Sequence, residues 1–153
     1  MTSVKLIHLL AALVWVGGMF FAYVVLRPVA VEVLEPPQRL RLWEGVFRRF
    51  FVWVWVAVAI LLGSGSYLIV QLGGFAHVNR EIDFMVVSGG LMMLIYGHVY
   101  FAQYRKLSRF VAEQSWKDAG GMLAKIRRLV GLNLAIGVLT VCAAVLGSAG
   151  GMI

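Results

Sequence analysis

Three histidines are the residues of this sequence best suited to bind a metal ion or a heme iron. His8 and His98 lie inside apolar stretches, and His77 lies between two of them. An imidazole nitrogen is a common ligand of heme iron and of other metals. Polar groups inside apolar helices cost free energy, so His8 and His98 are candidates for function. The structural alternatives are a headgroup contact for His8, an interhelical hydrogen bond for His98 and a solvated loop position for His77.

Methionine adds a second kind of metal ligand, because its soft thioether suits Cu(I). Met19, Met92 and Met93 lie inside the apolar stretches and could pass Cu(I) along together with a histidine. The alternative is that they only fill space, since no Met-x-Met or Met-x-x-x-Met ladder is present. Asn133 is predicted to make an interhelical hydrogen bond. The single cysteine, Cys142, has no partner for a disulfide within the chain.

Motifs for other kinds of chemistry are missing from the sequence. It has no C-x-x-C-H motif for covalent heme and no P-loop. No two carboxylates lie inside one apolar stretch, so hydrolysis has no candidate acid–base pair. The segment Gly63–Ser66 predicts either tight helix packing or room for a cofactor.

Four apolar stretches must position these residues. Of the 153 residues, 61% are hydrophobic and 14% are charged, whereas soluble domains are about 45–50% apolar and about 25% charged. The stretches cover residues 6–26, 50–70, 84–104 and 129–149, and each has about the 20 residues that a helix needs to cross a bilayer. The sequence therefore predicts an all-α, integral membrane four-helix bundle, with residues 1–153 as a single transmembrane domain. No internal repeat is convincing.

The connections between the stretches differ in charge. Every lysine and arginine except Lys5 and Arg80 lies in the first or third connection, residues 27–49 and 105–128. The positive-inside rule places both connections in the cytoplasm, so both termini are predicted on the non-cytoplasmic side. Basic residues between apolar stretches suit anionic headgroups and indicate no nucleic acid partner. Both connections are expected to be helical extensions, and residues 105–128 are expected to form an amphipathic element at the interface.

The two helix histidines lie at depths too different for one shared iron. At about 1.5 Å per residue, His8 is about 28 Å and His98 about 10 Å from the basic boundary of its own helix. The difference of roughly 18 Å is more than a helix tilt of about 20° removes. His8 therefore needs another partner, such as His77 or Met85, or its iron keeps an open position.

Several short motifs together resemble one family over nearly the whole chain. Trp15 follows His8 by seven residues and precedes Gly18, and a Tyr-Gly-His motif ends at His98 before a basic patch. These motifs are similar to those of the CopD-like superfamily, which includes the copper-resistance protein D domain and the HemJ type of protoporphyrinogen oxidase. The resemblance implies heme b bound by His8, or, in the copper-handling branch, copper binding or movement. The lysine of HemJ-type proteins near the start of helix three is Val87 here, which leaves the second axial ligand open.

The leading hypothesis is a heme b-binding protein of the bacterial inner membrane that transfers electrons or oxidises a hydrophobic substrate. Such a heme-dependent oxidoreductase would have the lipid bilayer, a redox protein of the membrane or periplasm, and further copies of the chain as partners. The alternative is a copper transport or tolerance protein, with copper in place of heme. The third hypothesis is a small membrane subunit without a cofactor. The candidate ligands are His8, His98, His77 and Met85.

Overall fold

Four long helices make up almost the whole of the computed structural model, which describes residues 2–150. They are α1 (Thr2–Val33), α2 (Pro36–Gln71), α3 (Arg80–Ala112) and α4 (Trp116–Gly150). Each contains a stretch long and apolar enough to cross a membrane. No strand occurs within the described residues. The all-α, four-helix membrane bundle predicted from the sequence is therefore confirmed.

The helices extend well beyond the predicted apolar stretches at one end of the bundle. α2 has 36 residues and is about 54 Å long, whereas the hydrocarbon layer is about 30 Å thick. The additional turns contain residues 27–49 and 105–128, and we call this the basic end. The first connection is reduced to Leu34 and Glu35. The helical conformation is disfavoured at Glu35 because this residue precedes a proline, whereas Pro36 itself suits the first turn of α2. The predicted helical extensions are thus confirmed.

The segment of residues 105–128 does not form a separate element at the interface. A turn from Glu113 to Ser115 divides it between the end of α3 and the beginning of α4. Leu107, Ala119 and Ile126 are fully buried, because α3 and α4 pack on each other here. The apolar side chains of this segment therefore face a second helix instead of the headgroups, which corrects the expectation of an interfacial element.

In the two helical hairpins, α1–α2 and α3–α4, the first helix has the same succession of helix types. In α1, an α-helical part (Thr2–Phe20) of 19 residues is followed by a π-helical part (Phe21–Leu26) of 6 residues. α3 repeats this order with the same lengths: an α-helical part (Arg80–His98) is followed by a π-helical part (Val99–Tyr104). The chain thus contains a structural repeat that is not apparent in its amino-acid sequence.

Small residues allow the helices to approach closely. A Cβ atom added at Gly18 of α1 would overlap the ring of Phe50 in α2. A Cβ atom added at Gly137 of α4 would lie 3.0 Å from atoms of both Val16 and Met92. Val16 of α1 and Met92 of α3 therefore meet α4 at one depth of the bundle.

A cluster of aromatic rings joins the two hairpins. The Phe51 ring stacks on Phe47 with centroids 5.2 Å apart, and the edges of Tyr96 and Tyr104 meet it at 5.5 and 5.1 Å. The Tyr96 hydroxyl also donates a hydrogen bond of 3.0 Å to the carbonyl of Phe51. Trp15 of α1 packs on Tyr96 with centroids 6.0 Å apart. The cluster therefore connects α1, α2 and α3 near the middle of the bundle.

We expect Gly18→Val to destabilise the bundle and Gly17→Val to leave it nearly unchanged. A side chain at Gly18 meets Phe50, and overpacking of this kind costs about 1–3 kcal/mol. Gly17 is exposed and nothing lies within 4 Å of its Cβ position, so valine there should change the free energy of unfolding by less than about 0.5 kcal/mol. Unfolding in mixed detergent micelles measures both variants. Equal losses at the two positions would contradict the packing.

Candidate functional site

A hydrogen bond between two helices orients His8. Its Nδ1 lies 2.7 Å from Oγ of Ser64 in α2, and the ring is half-buried. The Ser64 hydroxyl donates to the carbonyl of Ile60 over 2.5 Å, so its oxygen accepts from Nδ1–H of His8. Nε2 is then the unprotonated nitrogen, which is the form that binds a metal ion. Gly65 lies beside the ring, since a Cβ atom there would be in ordinary van der Waals contact, 3.6 Å from Cε1 of His8.

His98 lies on the exposed surface of α3. Its Nε2 is 3.2 Å from Nε2 of Gln103 in the same helix. The two residues are five positions apart in the chain, and a π-helix such as this part of α3 brings residues with this spacing next to each other. The alternative of an interhelical hydrogen bond is therefore wrong, because the observed bond stays within one helix. Metal binding by His98 stays a prediction.

His77 and Met85, the two expected partners of His8, lie in different surroundings. Nδ1 of the exposed His77 donates to the carbonyl of Gly73 over 3.0 Å within the second connection. Met85 is half-buried in α3, three residues before the buried Ser88. Across the described residues, no group of three or more His, Cys, Asp or Glu side chains could hold a metal ion. Which of the two residues is the partner of His8 stays a prediction.

Depth along the bundle separates the candidate ligands into two groups. Val16 and Met92 meet the same glycine of α4 and so mark one depth. His8 lies on one side of this level and His98 on the other, and about 1.5 Å per residue places them about 21 Å apart. The structure therefore agrees that the two histidines do not share one metal. By the same measure, Met85 differs from His8 by only about 2 Å in depth.

A small cavity in the middle of the bundle is lined by a residue with an unpaired polar atom. Its volume is about 20 Å³, enough for one water-sized species. Met19 and Asn133 are among the residues that line it. Asn133 is 4% exposed, and its Oδ1 has no hydrogen-bond partner among the described residues, so the predicted interhelical bond is absent at this atom. A methionine and an asparagine with an unpaired side-chain oxygen therefore line the same space, which we call the core cavity.

The two main cavities of the bundle offer no slot for a heme at His8. A heme needs an open slot beside its ligand, whereas the core cavity has room for only one water-sized species. A second cavity, of about 360 Å³, lies at the basic end between α1, α2 and α4. His8 lines neither this cavity nor the core cavity. The prediction of heme b therefore gains no support from the geometry.

Comparison with known proteins identifies the family. The family described as copper resistance protein D matches residues 44–146, from the first half of α2 to near the end of α4. The chain belongs to the copper resistance protein D family. This member of the family is a multi-pass protein of the bacterial inner membrane, with four helices able to span it. No solved structure matches the chain.

One relative of this protein has a name that also refers to copper. Copper transport protein CutJ of Bacillus subtilis (strain 168) is 31% identical over 108 residues. The aligned part is 67% of this chain and 19% of the relative, so the chain spans a minor part of the relative's length. The comparisons confirm the resemblance to the CopD-like superfamily. They support the copper alternative better than the heme hypothesis, because neither names heme.

The residue that sequence analysis missed is Ser64. The segment Gly63–Ser66 predicted tight packing or room for a cofactor, whereas Ser64 is the hydrogen-bond partner of His8. A signal was present, because Ser64 and Ser66 lie in the half of α2 that an antiparallel hairpin brings next to His8. The sequence did not show which of the two serines faces α1.

We expect His8 and Ser64 to be energetically coupled. In a double-mutant cycle with His8→Leu and Ser64→Ala, the coupling energy should be about 0.6 kcal/mol and no more than about 1.7 kcal/mol, as for other hydrogen bonds between membrane helices. Ser66→Ala is the matched control, because Ser66 is exposed. Unfolding in mixed micelles gives each free energy. Zero coupling at Ser64, or equal coupling at Ser66, is incompatible with the hydrogen bond.

Proposed function

We propose that this protein transports copper through the inner membrane. Membership of the copper resistance protein D family and similarity to a copper transport protein support this function. The structural observation that carries the proposal is the orientation of His8, whose Nδ1 is bonded to Ser64. Histidines that bind metals usually donate their other nitrogen to a fixed acceptor, because this holds the ring and makes the free nitrogen more basic. His8 therefore presents Nε2 as a prepared ligand.

Cu(I) is the form of copper that suits the available donors. It is a soft ion that thioether ligands such as methionine select, and imidazole also binds copper. Met85 lies at nearly the depth of His8 and supplies such a thioether, so we propose it as the partner ligand. The positive-inside rule places this end of the bundle toward the non-cytoplasmic side. Copper would thus be exchanged with that side at His8.

The core cavity is the proposed second binding position. Met19 lies on the same helix as His8 and about 16 Å further along it. Met19 and Asn133 line the cavity, and the side-chain oxygen of Asn133 has no partner among the described residues. An unpaired buried carbonyl costs free energy, which a passing cation or a water molecule would offset. Two donors bind weakly, and weak binding suits an ion that must leave again.

We expect the purified protein to bind Cu(I) through His8. His8→Ala should abolish the tight binding, and Ser64→Ala should weaken it by about 10- to 100-fold because the ring loses its orientation. Competition with a chromophoric Cu(I) chelator in detergent under reducing conditions measures the affinity. Ser66→Ala is the matched control, since its side chain is exposed and it is Ser64 that hydrogen-bonds His8.

Two results would overturn the copper proposal. The first is a preparation that binds no copper, together with unchanged copper sensitivity of cells after deletion of the protein. The second is a Soret band that sharpens on reduction and disappears in His8→Ala, which would restore the heme b hypothesis. Visible spectra of the oxidised and dithionite-reduced protein distinguish the two metals directly.

We expect Met19→Leu to slow copper transport without loss of stability. Leucine has nearly the volume of methionine, so the substitution should cost less than about 1.5 kcal/mol while removing the thioether from the core cavity. Copper entry into proteoliposomes that contain a fluorescent Cu(I) reporter should fall severalfold. Met93→Leu is the control, because Met93 is half-buried and does not line the cavity. Equal rates in the two variants would exclude a position at Met19.

A further inference from the structure

The larger cavity at the basic end is surrounded by positive charge. Its volume of about 360 Å³ is within the usual range of about 300–1,000 Å³ for ligand pockets. Arg27 of α1, Arg39 of α2 and Arg127 of α4 line it. No aspartate or glutamate is among the lining residues. The cavity is therefore an electropositive space between three helices, and we call it the basic cavity.

The three lining guanidinium groups have no carboxylate partner. Over the described part of the chain, the only ion pair joins Arg109 and Glu113, at 3.8 Å. Arg27 lies over the ring of Tyr23, 5.2 Å from its centroid, and this contact brings no negative charge to the cavity. Like charges around one cavity repel one another, and an anion between them removes this cost. Guanidinium groups match phosphate oxygens especially well, because their N–H groups can form two parallel hydrogen bonds.

The remaining walls of the basic cavity are mostly apolar. They include Leu40, Trp43 and Leu123. Arg27 directly follows the first apolar stretch, and Arg127 stands two residues before the fourth. These positions place the cavity where hydrocarbon meets the headgroups, a depth at which tryptophan is also favoured. A free phosphate ion would leave the apolar walls unused, whereas a phospholipid carries its phosphate on a glycerol and acyl chains.

We propose that the basic cavity binds the headgroup of an anionic phospholipid. The phosphate contacts Arg27, Arg39 and Arg127, and the glycerol and the first part of an acyl chain lie along Trp43 and Leu40. Basic pockets between membrane helices near the headgroups are known to bind anionic lipids. A lipid in this position links α1, α2 and α4, so its binding should stabilise the folded protein.

The test compares lipids and two variants of equal charge. Thermal unfolding is followed in detergent with added dioleoylphosphatidylglycerol, dioleoylphosphatidylcholine or inorganic phosphate. The lining variant carries Arg27→Gln, Arg39→Gln and Arg127→Gln. The control variant carries three substitutions of exposed basic residues that do not line the cavity, namely Arg49→Gln, Lys125→Gln and Arg128→Gln. Both variants lose the same net charge, so general attraction to anionic lipid falls equally.

Phosphatidylglycerol alone should raise the unfolding temperature of the unmodified protein and of the control variant. In the lining variant, the apparent affinity for this lipid should fall by about tenfold or more. If the lining variant does not fold, Arg39→Gln alone should give a smaller loss in the same direction. An equal rise with inorganic phosphate would indicate an ion site and overturn the proposal. So would an equal rise with phosphatidylcholine, or an equal loss of affinity in the control variant.

Discussion

The contact between Phe51 and Tyr96 is the interaction on which the arrangement of the four helices depends. The two rings pack at 5.5 Å, and the Tyr96 hydroxyl donates to the Phe51 carbonyl over 3.0 Å. Helices in a bilayer gain little by leaving lipid, because lipid tails are as apolar as their own side chains. Close packing and hydrogen bonds must therefore hold the bundle together. This contact joins the hairpin α1–α2 to the hairpin α3–α4, and the core cavity lies beside it.

The candidate site follows from the same constraint on polar groups in lipid. His8 pairs with Ser64 inside the first hairpin, and Thr140 lies 2.8 Å from Ser88 inside the second. Asn133 differs, because it lines the core cavity between the hairpins and its Oδ1 has no partner among the described residues. An unpaired carbonyl in this environment costs free energy, so it marks a place where function is the expected reason for a polar residue. The two proposed copper positions thus differ in kind. One is a histidine oriented by a hydrogen bond within the first hairpin, and the other is a cavity between the two hairpins.

Much of the fold could be predicted because long apolar stretches have few solutions in a bilayer. Only helices or closed barrels satisfy every backbone group there, so stretches such as 6–26 and 50–70 had to be helices. The depth argument about His8 and His98 also needed only the rise per residue, and it agrees with the structure. The prediction of an interfacial element at residues 105–128 is wrong, because amphipathic periodicity does not distinguish a headgroup surface from a neighbouring helix. The burial of Ile126 depends on the turn after Ala112, which folds α4 back on α3 and which periodicity does not predict.

The sequence by itself determined the number of spans, their helical form, the concentration of positive charge at one end and the resemblance to the copper resistance protein D family. Each of these depends on composition and on short local spacing. Only the tertiary structure decided that Ser64 and not Ser66 bonds His8, that His98 turns to Gln103, and that the Asn133 oxygen stays unpaired. These outcomes depend on the rotation of each helix about its axis and on the π-helical parts that change it. Rotation is set by contacts between residues far apart in the chain, which hydropathy alone does not encode.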